Sequence, residues 1–336
     1  MVIYGNRAVL KDIRGAVNAP LHIFFGPKSV GKYYVAKELA KFYLCLEGGK
    51  ENCGCRSCHL LSSNNHPDLL FISPKDGASS IKVDDITSVV GFTFTRPIIS
   101  PYKVILIDDM ETMTVEAQNK LLLTLEFPPE YVKTVVVTSK IRTSRSDTLG
   151  MLETIKSRGT IHKFNALSDE DMNLVIGNIE SLMTEYDREI VFRLSLNCPG
   201  ATYIVSVNQG LVKAAKSIIS AVSDGNIDKL LIALGLMKEK DKNSIFEQLA
   251  QDDINRLIFF IKGLLAELLS RMYGQCLSGR LDFVLGKVDL CSFYTVYIMK
   301  CLRIINEVNV FNKDRKDLFI ILLNNLVKIK NCNKGG

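Results

Sequence analysis

With 336 residues, 47% of them hydrophobic, the chain is long enough for two or three domains with packed cores. A formal net charge of +6 is spread along the sequence, and there is no tryptophan; this permits contact with nucleic acid but excludes a concentrated basic stripe with aromatics for stacking on single strands. "MVIYGNRAVLKDIRG" scatters charges among apolar residues, so the start reads as mature protein, and the apolar run "LIFFIKGLLAELLS" is broken by Lys262 and Glu267, so no membrane span is expected.

The first regular element is "LHIFF", residues 21–25, an apolar run ending at a glycine. "KYYVAKELAKFYLC" follows with apolar residues at helical spacing, which gives strand, loop, helix. A second buried strand reads at "KVILID", 103–108, and a helical segment runs from Thr114 to Glu126, where Pro128 and Pro129 must end it. A third strand reads at "TVVVTS", 134–139. Apolar strands alternating with helices predict a mostly parallel sheet covered on both faces, with ligands at the strands' C-terminal ends. From about Leu167 the strand-like runs disappear and helical segments follow, punctuated by "CPG" at 198–200 and "SDGN" at 223–226. The last helix reads at "KDLFIILLNNLVKIK", before a polar tail after Lys328.

The loop between the first strand and helix, "GPKSVGKYY", is close to a phosphate-binding loop. Gly26, Gly31 and Lys32 fit the pattern Gly, any four, Gly, Lys, Ser or Thr, while Tyr33 stands at the hydroxyl position. Glycines let backbone N–H groups surround phosphates at a helix N-terminus, and the lysine adds a point charge. The absent hydroxyl would ligate Mg²⁺ at about 2.0–2.1 Å, a place the distant phenol oxygen cannot take without moving the backbone. Four of nine cysteines, Cys45, Cys53, Cys55 and Cys58, crowd together, a pattern that points to metal ahead of disulfides. Their thiolates would make a closed tetrahedral Zn²⁺ site of structural type, with His59 as a substitute ligand, or they stay a reduced, metal-free cluster. His66, in "HPD", reads as a turn residue.

Taken in order, "IYGNRAVLKDIRGAV", "HIFFGPKSVGKYYVAKELAKFYLC", the cysteine cluster, "HPDLLFISPKD", "YKVILIDDMETMTVEAQNKLLLTLEFPPE" and "TIKSRG" resemble the bacterial clamp-loader subunits of the DNA polymerase III holoenzyme, in the AAA+ superfamily. The resemblance is close over about the first 165 residues, and the length is nearer delta-prime subunits than tau/gamma subunits. It implies an AAA+ α/β P-loop domain with a parallel sheet over 1–164, carrying a zinc module at 45–59. A small helical lid would follow over 165–208 and an all-α collar over 209–336. The implied protein is cytoplasmic and works in a hetero-pentamer with tau/gamma and delta subunits, loading the sliding clamp on primed DNA.

Under that resemblance, Asp108 takes the magnesium-orienting place of Walker B, and Asp109 replaces the glutamate that positions the attacking water. The shorter side chain retracts the carboxylate by about 1 Å, a displacement that can cost about 100-fold in rate. Thr138 matches the polar sensor position, or caps its loop. Where the family's lid often carries an arginine, this chain has Ala201 and Thr202. "SRG" resembles the Ser-Arg-Cys motif with Gly159 in place of cysteine, so Arg158 maps to the finger that enters a neighbour's ATP site; the other reading is a surface charge. Such fingers contribute about 10³–10⁵ in rate. The expectation is a noncatalytic, stator-like subunit, with Zn²⁺ as structural cofactor and no ATP turnover of its own. The alternatives are an ATP-hydrolysing motor of tau/gamma type and a small-molecule P-loop kinase, which would leave the cysteine cluster and "SRG" unexplained.

Overall fold

A computed structural model describes residues 4–50, 52–74, 80–142, 150–177 and 184–223, with 253, 256, 257, 260, 261 and 263. The helix read at "KDLFIILLNNLVKIK", the polar tail and most of the 209–336 segment lie outside the described residues.

The chain opens with α1 (Arg7–Gly15), β1 (Leu21–Phe25), α2 (Lys32–Leu44), α3 (Arg56–Ser62) and β2 (Leu69–Ile72). Then come α4 (Val83–Phe94), β3 (Lys103–Ile107), a 3-10 turn (Met110–Thr112), α5 (Val115–Glu126) and β4 (Val132–Thr138). The α/β part closes with α6 (Glu153–Lys156) and β5 (Thr160–Lys163). The five strands form one parallel sheet in the order β2-β3-β4-β1-β5. Its inner strands are the apolar runs visible in sequence, since every residue of β3 and β4 is buried. The outer strands are four residues each: β2, LLFI, is a short apolar run in which only Ile72 is buried, and β5, TIHK, is mixed and buries only His162.

Local chemistry sets the helix ends. The Thr114 hydroxyl accepts the Ala117 N–H at 3.3 Å to cap α5, and the Pro128–Pro129 pair beyond Phe127 forbids its continuation. At α4, the Asp85 carboxylate accepts the Lys82 N–H at 2.9 Å, and Asp84 adds negative charge to the first turn. Ile86 and Val89 of α4 and Leu121 and Leu125 of α5 pack with Ile23, Ile105, Ile107 and Val136 of the sheet. The alternate strand residues point to the other face, where α2 packs on β3 and β4, and α1 on β5.

All described elements after β5 are helices: α7 (Asp169–Gly177), α8 (Glu185–Leu194), α9 (Pro199–Val207) and α10 (Gln209–Ser223). The chain divides into two compact units, one running to Asp171 with Cys198–Gly200, the other Met172–Asn197 with the residues from Ala201 onward. In the second unit α8 is capped by Thr184, whose hydroxyl accepts the Asp187 N–H at 3.1 Å, and Asp187 is ion-paired to Lys216 of α10. Among the described residues no helix is long and apolar enough to cross a membrane.

Candidate functional site

Because all five strands run the same way, the loops after β1, β3 and β4 meet at one edge of the sheet. Gly26 leaves β1 at φ 157°, and a Cβ there would lie 2.3 Å from the Phe164 carbonyl oxygen, so only glycine lets the loop pass beneath the end of β5. Gly31 stands at the N-cap of α2. The intervening Ser29 has φ 61°, and its carbonyl accepts the Gly200 N–H at 2.8 Å. Lys32 begins α2 and is buried; its Nζ donates to the carbonyls of Gly26 at 2.8 Å and Pro27 at 2.6 Å. Burial lowers its pKa, against the pull of Glu111, Asp108 and Asp109.

Those carboxylates sit on the turn after β3. Asp108 accepts the N–H of Asp109 at 3.0 Å, and Asp109 adopts the left-handed conformation at φ 49°. Burial, reinforced by the charge of Asp109, pushes Asp108 up to about 6, and burial with Glu111 raises Asp109 as well. Glu111 behaves differently. Burial would raise its pKa, but hydrogen bonds from Ser139 and Thr138 outweigh it and hold it below the usual range. Its Oε2 accepts from the Thr138 hydroxyl at 3.1 Å and the Ser139 N–H at 3.0 Å, and the Ser139 hydroxyl also binds Oε1. The Thr138 hydroxyl reaches both Glu111 Oε2 at 3.1 Å and the Lys140 carbonyl at 3.0 Å, and accepts the Lys140 N–H at 3.3 Å.

Tyr33 turns outward. Its ring packs on Phe71 of β2 with centroids 5.7 Å apart, the Lys37 ammonium lies 5.8 Å from its centroid, and it lines a groove of about 840 Å³ that passes Cys58. Burial, then the charge of Asp108, raises its phenol pKa. No short-chain hydroxyl stands beside Lys32, so the residues present do not fit the usual magnesium site of such a loop.

Arg158 lies at the opposite edge. It precedes β5, whose first residue, Thr160, pairs with His22, four positions before Gly26. At ~3.3 Å per strand residue this sets Arg158 beyond about 13 Å from the chain's own phosphate loop. The guanidinium donates to Glu126 Oε1 at 2.7 Å and to the Thr154 carbonyl at 2.6 Å. Gly159 is more than a replacement for cysteine: a Cβ there would lie 2.6 Å from Ile23 Cδ1 and 2.8 Å from Leu21 Cγ.

The cysteine cluster closes in space. The four Sγ atoms of Cys45, Cys53, Cys55 and Cys58 all lie within 4.8 Å of one another, with Cys45 at 3.6 Å from Cys53 and 3.9 Å from Cys55. Four thiolates around zinc at ~2.3 Å stand about 3.8 Å apart, whereas a disulfide needs ~2.05 Å, so the donor set fits the metal. All four cysteines are free. The single residue between Cys53 and Cys55 does not prevent closure, and exposed His59 is not in the group. The backbone N–H of Cys58 and then that of Leu46 help hold Cys55 down at about 6, while burial and the neighbouring sulfurs push Cys58 up. Beneath the cluster the Ser57 hydroxyl donates to the Leu44 carbonyl at 2.6 Å and meets His66 Nε2 at 2.8 Å, while His66 Nδ1 accepts the Asp68 N–H at 3.0 Å. His66 is thus the turn residue expected from "HPD".

Three contributors escape a sequence reading. Asp68 is buried and accepts the N–H groups of Ile98, Ile99 and Ser100 at 2.7, 2.8 and 2.9 Å, which shapes the loop before β3. Glu111 and Gly200 likewise bind backbone or hydroxyl groups distant in sequence. The one legible signal was the extra acid in "DDME".

Residues 14–168 match the family model for DNA polymerase III, delta subunit. The chain is 34% identical over 145 residues to DNA polymerase III subunit delta' of Pseudomonas aeruginosa, covering 43% of this chain and 42% of that one. It is a relative of the DNA polymerase III clamp-loader subunits, of the AAA+ type. With subunit tau/gamma of Haemophilus influenzae this clamp-loader relative shares 36% identity over 120 residues, 35% of this chain and 17% of that one. The matches therefore span less than half the length of these two relatives. Among solved structures, a DNA polymerase III gamma-subunit-related protein of Thermotoga maritima aligns with TM-score 0.49 and 17% identity, covering 96% of this chain and 99% of that one.

Proposed function

We propose that the chain is a stator-like subunit of the DNA polymerase III clamp loader, which does not turn over ATP itself and supplies Arg158 to the ATP site of a neighbour. The observation that carries this reading is the placement of Arg158 at the strand N-terminal edge, away from the chain's own phosphate loop. A guanidinium there serves a nucleotide held by another subunit, where it would stabilise charge on the transferring phosphoryl group. Two features of the chain's own loop agree: Tyr33 replaces the magnesium-binding hydroxyl, and Lys32 is satisfied by the loop's carbonyls. In this reading Gly26, Gly31 and Lys32 keep the turn that the fold needs, Asp108 and Asp109 carry no metal, and Thr138 braces its loop through Glu111.

Cys45, Cys53, Cys55 and Cys58 would hold Zn²⁺, which supplies a structural cross-link between the end of α2 and α3. Residues 165–208 would act as the lid and 209–336 as the collar of a hetero-pentamer with tau/gamma and delta subunits. That assembly would load the sliding clamp on primed DNA in the cytoplasm. The second reading, an ATP-hydrolysing subunit of tau/gamma type, is favoured by relatives of that name and by the retained Lys32 and Asp108.

The test is steady-state ATPase of the reconstituted loader with clamp and primed DNA, beside the isolated chain. We expect a silent isolated chain, and a loss of about 10³-fold or more in the assembled loader on Arg158→Ala. Hydrolysis by the isolated chain that Lys32→Ala abolishes would establish the motor reading instead.

A further inference from the structure

α2 packs on β3 and β4, and α4 covers the opposite face of β2, which leaves the α2 side of β2 half open. Phe71 of β2 stands in register with Leu106 of β3, yet Phe71 is 45% exposed where Leu106 is buried. The space beside it is the groove of about 840 Å³, with Tyr33, Lys37 and Lys41 of α2 on one wall and Cys58 and His59 of α3 on another. Tyr33, which displaces a hydroxyl from the phosphate loop, builds this surface instead: its ring lies against Phe71 with centroids 5.7 Å apart.

β2 is also the lateral edge strand of the sheet. The Val104 N–H donates to the Asp68 carbonyl at 2.8 Å and the Asp108 N–H to the Ile72 carbonyl at 2.9 Å, so Asp68, Leu70 and Ile72 turn their backbone groups to β3. Leu69 and Phe71 turn theirs outward. The Leu69 N–H is spent on the His66 carbonyl at 3.2 Å; among the described residues the Leu69 carbonyl and the Phe71 N–H and carbonyl meet no backbone partner. Edges are commonly blunted by charge or proline, and "LLFI" has neither.

We propose that this groove binds an extended peptide segment of a partner protein, which adds as a strand to β2 and carries a large apolar side chain and a carboxylate on one face. Strand addition gives the outward backbone groups of Leu69 and Phe71 their partners, and the groove reads alternate side chains. Two such side chains stand about 7 Å apart. One enters the Tyr33–Phe71 cleft, and the other reaches Lys37 and Lys41, which are one helical turn apart on α2. Charge selects the carboxylate: two lysines line the groove against one acidic side chain, Glu38, while the cluster sulfurs on the α3 wall direct the acid to the α2 wall. A nucleic-acid strand would leave the outward peptide groups of β2 unpaired.

The test uses the full chain and short fluorescein-labelled peptides that alternate Phe or Leu with Asp, in both registers, read by fluorescence anisotropy. Saturable binding is expected, weakened about tenfold or more by Phe71→Ala and by Lys37→Glu/Lys41→Glu. Two changes on the peptide keep the test independent of folding. Lysine in place of aspartate, and N-methylation of the amides that face β2, should each weaken binding about tenfold or more. No saturable binding by any peptide of the set, or equal affinity for the N-methylated peptides, overturns strand addition. Equal affinity for the lysine peptides overturns the acidic specificity. Tighter binding of oligothymidine than of any peptide assigns the groove to nucleic acid, and a concentration-dependent dimer that Phe71→Ala disperses assigns it to a second copy; either overturns the peptide proposal.

Discussion

The Glu111 carboxylate accepts the Thr138 hydroxyl at 3.1 Å and joins the turn after β3 to the end of β4. It also accepts the Ser139 N–H at 3.0 Å and the Ser139 hydroxyl, so one side chain meets three donors at the end of the adjacent strand. Glu111→Ala strands the two Ser139 donors, while the Thr138 hydroxyl keeps the Lys140 carbonyl at 3.0 Å. With hydrogen bonds to a charged group worth ~1.5–3 kcal/mol each and partial rescue by water, the expected loss is about 2–4 kcal/mol in urea unfolding, with Glu111→Gln between the two. An alanine variant as stable as the parent would refute the bracing role. Because the folded pKa of Glu111 is lowered, its contribution is present above the ordinary glutamate range and is lost as the pH falls through the folded value.

A buried chain of rings in β1, β5 and α2 acts in the same direction, beginning at higher pH. The Tyr43 hydroxyl donates to the Val17 carbonyl at 2.6 Å, so it accepts from His22 Nε2 at 2.8 Å. His22 Nδ1 is then bare and accepts from His162 Nε2 at 3.0 Å, which leaves His162 Nδ1 buried without a partner among the described residues. Burial first, then His162 and Lys133, pull His22 down to about 4 from 6.5. The unfolded chain takes up a proton near pH 6.5 that the folded one refuses, so stability holds above pH 6.5 and falls as the pH drops toward 4. The full span is roughly 3 kcal/mol. Urea midpoints across pH 4–7 should show this slope, and His22→Gln should flatten it; a parallel slope in the variant would assign the effect elsewhere.

Zinc should co-purify with the chain at one ion per molecule. Chelation, or Cys58→Ser, should lower the thermal midpoint by several degrees and make the remaining cluster thiols reactive toward alkylating agents, because a bound metal would close the segment between α2 and α3. Metal-free protein of unchanged stability would show that Ser57, His66 and Ser100 hold the segment by hydrogen bonds alone.

Gly159→Ala should cost about 1–3 kcal/mol. The new methyl would collide with Ile23 and Leu21 of β1, and overpacking a closed core forces side chains off their rotamers. Thermal unfolding reads this directly. A neutral result would mean that β5 can shift outward from β1.

The amino-acid sequence alone determined the inner strands, α2, α5 and the grouping of the cysteines, since each rests on local order: unbroken apolar runs, helical spacing, a threonine cap, a proline pair, short Cys spacing. It also carried the motif order by which the family was legible. Its reading stopped at β2 and β5, four residues each with only Ile72 and His162 buried, which are held by pairing to β3 and β1, a stabilisation absent from local pattern. Tertiary structure alone decided that Lys32 folds onto its own loop, that Glu111 braces Thr138, and that Arg158 meets Glu126, 32 residues away, on the far edge of the sheet. The physical reason is common to all three. A charged group's partner is set by which carbonyls, hydroxyls and carboxylates the packed strands bring within hydrogen-bond reach, and parallel strands bring together residues that sequence holds far apart.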